Sequence, residues 1–218
     1  MKLQQSPDLS LEKPLWAAGL TLLAGLDEAG RGAWAGPVTA GAVILPAKAS
    51  VLKQLTGVRD SKCMTPRQRM IWAEHIKEMA LNWGVGFASN EEIDQIGIVP
   101  ATRLAMQRAL AHLSLKPMHL LLDAIQLPEE ELPQTSLPKG DARSLSIAAA
   151  SVIAKTQRDT CMVEFDRQFP AYGFARHKGY GTRYHQGSLQ ENGPCKIHRF
   201  SFAPLREWRI SASKQPPK

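Results

Sequence analysis

Apolar positions fall along this chain in short runs and in helical stripes, and the two spacings separate strands from helices. TLLAGLDEAGR (21–31) is apolar until Asp27 and Glu28, which predicts a buried strand ending at two carboxylates. VTAGAVILP (38–46) alternates and is β-branched. Only a short Gly/Pro turn separates the two runs, so they are expected to pair antiparallel. TPRQRMIWAEHIKEMALNW (65–83) reads as a helix, with Thr65 as N-cap, Pro66 at its first position, and Met70, Ile71, Ile76, Met79 and Ala80 as its apolar face. WGVGFAS (83–89) predicts a third strand, and Asn90-Glu91-Glu92 opens a short helix that stops near Gly97. VPATRLAMQRALAHL (99–113) is amphipathic, with Leu104, Leu110 and Leu113 among its apolar positions.

MHLLLDAIQ (118–126) contains a strand of central type that ends at Asp123, because almost no polar residue interrupts it. PEEELPQTSLP (128–138) reads as a polar, Pro-containing excursion. From about Ser144 a long helix rich in small residues follows, and a short helix is expected near His185–Asn192. These elements predict one mixed α/β domain over residues 15–210, with helices covering a sheet. Residues 1–14 and 211–218 read as flexible tails.

Charge changes this picture at one end. The chain carries 27 Lys/Arg and 20 Asp/Glu, a formal net charge of +7. All of that excess lies in residues 176–218, and residues 1–175 balance. Such asymmetry fits an electrostatic footprint for a polyanion, most often nucleic acid, and fits a solvated basic tail equally well. No apolar run reaches the roughly 18 residues of a membrane span, and the polar start is not a secretory signal, so a cytoplasmic location is expected. Three cysteines without a C-x-x-C pair argue against a disulfide framework or a structural zinc site.

The candidate chemistry lies in the acids. Asp27 and Glu28 interrupt an apolar strand, Asp123 ends another, and Asp141 follows Gly140 just ahead of a helix. Strand ends and helix starts of α/β sheets converge on one edge, where sites form. Carboxylates gathered there repel one another unless divalent metal relieves them, and two oxygen-ligated ions make the usual clamp for phosphodiester hydrolysis. Taken singly, Asp141 is also explained as a helix cap and Asp123 as a strand-end turn residue. Asp159 lies four residues after Lys155, so an ion pair on one helical face accounts for it. Gly30-Arg31-Gly32 has neither a G-x-G-x-x-G nor a GK[ST] context and reads as a tight loop that offers backbone groups to a ligand.

GLDEAGRGAWAGPV (25–38), DSK (60–62), the strand closing at Asp123, KGDARSLSIAAASVIAKTQRD (139–159), FPAYGFARHKGYGT (169–182) and HRFSFAP (198–204) occur in one order over most of the chain. In this the chain resembles ribonuclease HII, the type 2 ribonuclease H family. The resemblance implies a ribonuclease H-like fold, with a mixed central sheet flanked by helices and a C-terminal helical segment. It implies cleavage of the RNA strand of RNA–DNA hybrids, and incision 5′ of a single ribonucleotide in duplex DNA to leave 3′-hydroxyl and 5′-phosphate ends. It implies two Mg²⁺ or Mn²⁺ ions on Asp27, Glu28, Asp123 and Asp141, with Asp27 bridging them. Gly30, Arg31 and Gly32 would meet the 2′-hydroxyl, Tyr180 would pack at the ribose, and Lys62 would touch phosphate. The protein is expected to act as a monomer on hybrid and ribonucleotide-containing duplexes, without a membrane. A non-catalytic hybrid- or DNA-binding module is the alternative.

The chain departs from the family pattern at three positions. Ala124 stands where glycine is usual, which predicts an altered turn because alanine resists positive φ. Cys63 replaces a common lysine, and Trp34 is bulkier than the usual residue.

Overall fold

The computed structural model describes residues 6–212. In chain order its strands are β1 (Leu23–Ala29), β2 (Val38–Ile44), β3 (Asn82–Ala88), β4 (His119–Asp123) and β5 (Gln134–Leu137). Its helices are α1 (Glu12–Ala17), α2 (Val51–Gln54), α3 (Pro66–Met79), α4 (Asn90–Ile96), α5 (Ile98–Ala111), α6 (Leu145–Gln168), α7 (Phe174–His177), α8 (Arg183–Asn192) and α9 (Leu205–Ala212). Short 3₁₀ turns at Ser61–Cys63, Gly140–Ala142 and Pro170–Tyr172 punctuate the loops.

The five strands form one sheet in the order β3-β2-β1-β4-β5. The pairs β1–β2 and β2–β3 are antiparallel, while β1–β4 and β4–β5 are parallel. This is the mixed sheet flanked by helices of the ribonuclease H-like fold. None of the described helices is long and apolar enough to cross a membrane.

β2 does alternate, but every residue in it is buried. Val38, Ala40, Ala42 and Ile44 join a core with Ala101, Ala105 and Ala109 of α5, while Val43 joins Ala148, Ala149 and Ala150 of α6. Each face of the sheet therefore has its own helix, and a strand between two cores has no solvent side. The small residues of α6 permit a very close approach. A β-carbon on Gly25 of β1 would overlap the Ser146 backbone.

Local signals set most of the boundaries. Thr65 and Ser89 each form a capping box, with Gln68 and Glu92 respectively, and Ser144 caps α6 by accepting from the Ile147 N–H.

Four expectations need correction. The stretch up to residue 14 is not a loose tail from Asp8 onward. Leu9 is buried, Asp8 pairs with Ser144, and the buried Glu12 Oε1 accepts from Ser144 Oγ at 2.6 Å and Ser146 N at 3.0 Å. An acid there satisfies the Ser146 N–H and the Ser144 hydroxyl at the start of α6, a tertiary role with no local pattern. Residues 1–5 of that expected tail lie outside the described residues, as do 213–218 of the C-terminal one.

The buried face of α3 is Arg69, Ala73 and Ile76, whereas Met70 and Ile71 are 64% and 48% exposed. Arg69 turns the helix, because its guanidinium donates to Ser61 O, Met64 O and Asp159. The polar excursion hides the edge strand β5, whose half-exposed residues need no apolar pattern. Finally, the turn after Asp123 keeps its left-handed form despite alanine, with Ala124 at φ +58°.

Candidate active site

β1 and β4 run parallel, in register through Leu26 and Leu122. The next residue on each is an acid, so Asp27 and Asp123 emerge side by side. Asp141 arrives from the turn that leads into α6. Asp27, Asp123 and Asp141 each offer a carboxylate oxygen, and these oxygens lie within 4.8 Å of one another. Gly140 N donates to Asp123 Oδ1 at 2.8 Å, which ties the third acid's loop to the second acid.

Glu28 is placed differently. The strand does not end at the acid pair but runs on to Ala29, and consecutive strand residues point to opposite faces. Glu28 stands beside the trio of aspartates, within reach of the Asp123 charge, and meets Arg31, whose Nη1 donates to Glu28 Oε1 at 3.1 Å.

Electrostatics mark this rim as incomplete on its own. Burial pushes Asp27 well above the usual carboxylate range, and Glu28, Asp123 and Asp141 push it further. Burial also raises Glu28, against the pull of Arg31. Asp141 is raised to about 6, by burial first and then by Asp60 and Asp123. Asp27 Oδ2 and Glu28 Oε2 are buried and accept no hydrogen bond from the described residues. Buried carboxylates of this kind either take up a proton or are relieved by a cation. An all-oxygen donor set suits a hard divalent ion, so the residues fit the expected metal.

Lys62 lies at the rim, with Nζ 3.9 Å from Asp141 Oδ2. Burial works against its charge, but Asp60, Asp27, Asp141 and Asp123 together hold its pKa above the usual lysine value. Asp60 caps the turn that carries Lys62, accepting from Lys62 N at 2.9 Å. It belongs to the same acidic neighbourhood and was not among the expected site residues.

Gly30, Arg31 and Gly32 form the start of the loop between β1 and β2. Gly30 has φ +92°, and open space surrounds the position a β-carbon would take on Gly32. The loop is docked on the turn that bears Tyr180, because Trp34 N donates to Gly179 O at 2.8 Å. Bulky Trp34 fits because Gly181 leaves room for its ring. Tyr180 is 36% exposed, with Lys155 Nζ and Arg158 Cζ each 5.5 Å from its ring centre. It lines a groove of about 700 Å³ together with Arg69, Lys155, Arg176 and Lys178. Asp159 bridges Lys155 and Arg69, at 2.7 and 3.1 Å, which extends the expected helical ion pair across two helices.

Behind these loops lies a buried polar cluster that the sequence did not announce. Arg158 and Arg199 are fully buried. His177 stacks on His185, and His185 Nε2 lies 3.0 Å from His198 Nε2. Burial lowers His185 and His198 to about 4.

The sequence profile of the ribonuclease HII family matches residues 24–205. A ribonuclease HII from Synechococcus sp. (strain JA-3-3Ab) is 53% identical over 201 residues, covering 92% of this chain and 90% of the relative. A ribonuclease HII from Thermus thermophilus is 50% identical over 206 residues, covering 94% of this chain and 98% of the relative. The crystal structure of the ribonuclease H2 from Pyrococcus horikoshii OT3 superposes with a TM-score of 0.70 at 25% identity, covering 88% of this chain and 99% of that one.

Proposed function

The chain belongs to the ribonuclease HII family, metal-dependent endonucleases that act on RNA–DNA hybrids, and from that membership we propose that it also incises duplex DNA 5′ of a single embedded ribonucleotide. The products are a 3′-hydroxyl and a 5′-phosphate. The observation that carries this reading is the convergence of three carboxylates, one of them with an unpartnered buried oxygen, beside a glycine-lined loop and an exposed tyrosine.

Asp27, Asp123 and Asp141, with Glu28 beside them, would hold two Mg²⁺ or Mn²⁺ ions. When bound, the ions supply an activated water and neutralise charge on the leaving oxygen. The chain's own groups do the rest. Lys62 offers a cation to the phosphate at the acidic rim. Arg31 holds Glu28 by its carboxylate. Backbone groups of Gly30–Gly32 and the ring of Tyr180 read the nucleotide with a 2′-hydroxyl, the only group that separates one ribonucleotide from its DNA neighbours. A site built to bond that hydroxyl rejects deoxyribose strongly, because its polar groups would be left unpaired. The basic C-terminal fifth grips the duplex backbone, a contribution that weakens with salt. The proposal extends to a cytoplasmic monomer.

Asp123→Asn tests the assignment. Turnover of an RNA–DNA hybrid should vanish while hybrid binding, followed by fluorescence anisotropy, stays near wild type. Unchanged cleavage would remove Asp123 from the site. Binding without metal-dependent cleavage in the wild type would favour the binding-module alternative.

A further inference from the structure

We infer that Arg158 is a positioning residue for ribose recognition: its guanidinium locks the Gly30–Pro37 loop to the Lys178–Tyr180 turn, so that the two halves of the ribose reader act as one unit. The inference rests on the proposed roles of Gly30–Gly32 and Tyr180.

Arg158 projects from the middle of α6 and has no exposed surface. Its Nε donates to Pro37 O at 2.9 Å and its Nη2 to Ala35 O at 3.1 Å, both in the first loop. Its Nη1 donates to Lys178 O at 2.9 Å, in the second. One rigid planar group thus spans two segments far apart in sequence. Only a guanidinium offers donors in a fixed fork; a lysine at the same place has one nitrogen to share among three carbonyls.

The same side chain touches both proposed recognition elements. A β-carbon on Gly30 would overlap the Arg158 guanidinium, so the glycine lies directly against it. On the other side, the Tyr180 ring centre is 5.5 Å from Arg158 Cζ. Arg199 repeats the pattern from the C-terminal side, donating to Gly36 O and Arg31 O, each at 2.9 Å. Four carbonyls between Arg31 and Pro37 are therefore held by two buried arginines, and the acceptors are backbone rather than carboxylate.

Stability alone does not explain this choice, since taking a guanidinium out of water carries a desolvation cost that its hydrogen bonds only partly repay. A fixed distance between two loops does explain it. Recognition geometry held to a fraction of an ångström is worth up to about 10²-fold in rate.

The test is a double-mutant cycle of Arg158→Lys and Tyr180→Ala, with kcat and KM measured on a duplex containing one ribonucleotide. Each single variant should lower kcat by roughly 10- to 100-fold with KM changed far less. The double variant should be within about threefold of the worse single variant, because both act through one contact unit. Multiplicative losses would overturn the coupling, as would a wild-type kcat for Arg158→Lys beside a damaged Tyr180→Ala. A wild-type kcat for Tyr180→Ala would instead overturn the ribose-reading role itself, and the coupling with it. Amide hydrogen exchange on the wild-type protein needs no variant. Residues 30–36 and 178–180 should show one common opening free energy, and separate values would contradict the inference.

Discussion

Asp27 and Arg158 are both buried charges, yet their surroundings are opposite. Asp27 is crowded by like charges and keeps one oxygen without a hydrogen bond. Arg158 donates to three carbonyls and has Tyr180 beside it. The same contrast holds for their neighbours. The rim gathers Glu28, Asp123 and Asp141, whereas the region behind the loops gathers Arg199, which donates to two carbonyls and keeps Nη2 without a partner among the described residues, and three histidines bonded to backbone and to one another. A region crowded by like charge is arranged to receive something, and a region whose cations donate to backbone carbonyls of two loops is arranged to hold still. The difference separates the chemistry of this protein from the scaffold that aims it.

The comparison is broken most directly at Asp27. Asp27→Asn should reduce turnover by more than about 10³-fold, as expected for loss of a group at the centre of charge stabilisation. The same change removes repulsion from the metal-free protein, so its Tm should rise, by roughly 2–4 °C for each kcal/mol recovered. A variant that loses both activity and stability would mean that the rim is structural.

Arg199→Met makes the opposite change. It leaves the carbonyls of Gly36 and Arg31 without that donor, and should cost about 1–3 kcal/mol for each, seen as a loss of several degrees in Tm. An unchanged Tm would show that the clamp contributes nothing to the fold.

Acid acts on the two regions with opposite sign. His185 and His198 have folded pKa values of about 4 against 6.5 when free. Between those values the unfolded chain binds more protons, so this contribution to stability is complete above pH 6.5 and is lost as pH falls toward 4. Asp141, raised from 3.8 to about 6, works the other way: the folded state gains stability as pH falls through 6. Thermal melts of Asp141→Asn between about pH 7 and 4.5 should therefore show a steeper fall in Tm than melts of the wild type. Parallel curves would contradict the assignment of opposite signs.

The smallest expected effect concerns the turn after Asp123. Ala124 is held at φ +58°, where alanine is strained by roughly 1–2 kcal/mol. Ala124→Gly should stabilise the protein by about 1 kcal/mol after the entropic cost of glycine, without moving the acids. A loss of Tm would show that the turn is relaxed as it stands.

How much of this was legible in the sequence follows from the range over which each feature is specified. Asp27 and Glu28 stand out because a charge pair in an apolar strand has no cheap explanation, whereas Asp123 and Asp141 stand out only beside that pair, since a turn or a cap explains each alone. The caps at Thr65 and Ser144 are local hydrogen bonds and leave local signatures. Glu28 was legible as an acid but not in its direction, because the strand was expected to end where it in fact continues. Arg158 and Arg199 left no trace, since an arginine on a helix or in a loop ordinarily reads as exposed. Their acceptors lie 121 to 168 residues away for the bonds into the first loop. Glu12 escaped in the same way, hidden in a stretch that looks like a tail but caps a helix 132 residues downstream. Strand β5 escaped because an edge strand needs no apolar face.

The measurement that tests the central claim most directly is cleavage of a DNA duplex carrying one ribonucleotide, beside an all-DNA control, with Mg²⁺ or Mn²⁺ and then with EDTA. The predicted result is a single cut 5′ of the ribonucleotide, dependent on the metal, leaving 3′-hydroxyl and 5′-phosphate ends, and no cut in the control. Cleavage that persists in EDTA, or that appears equally in the control, would contradict it.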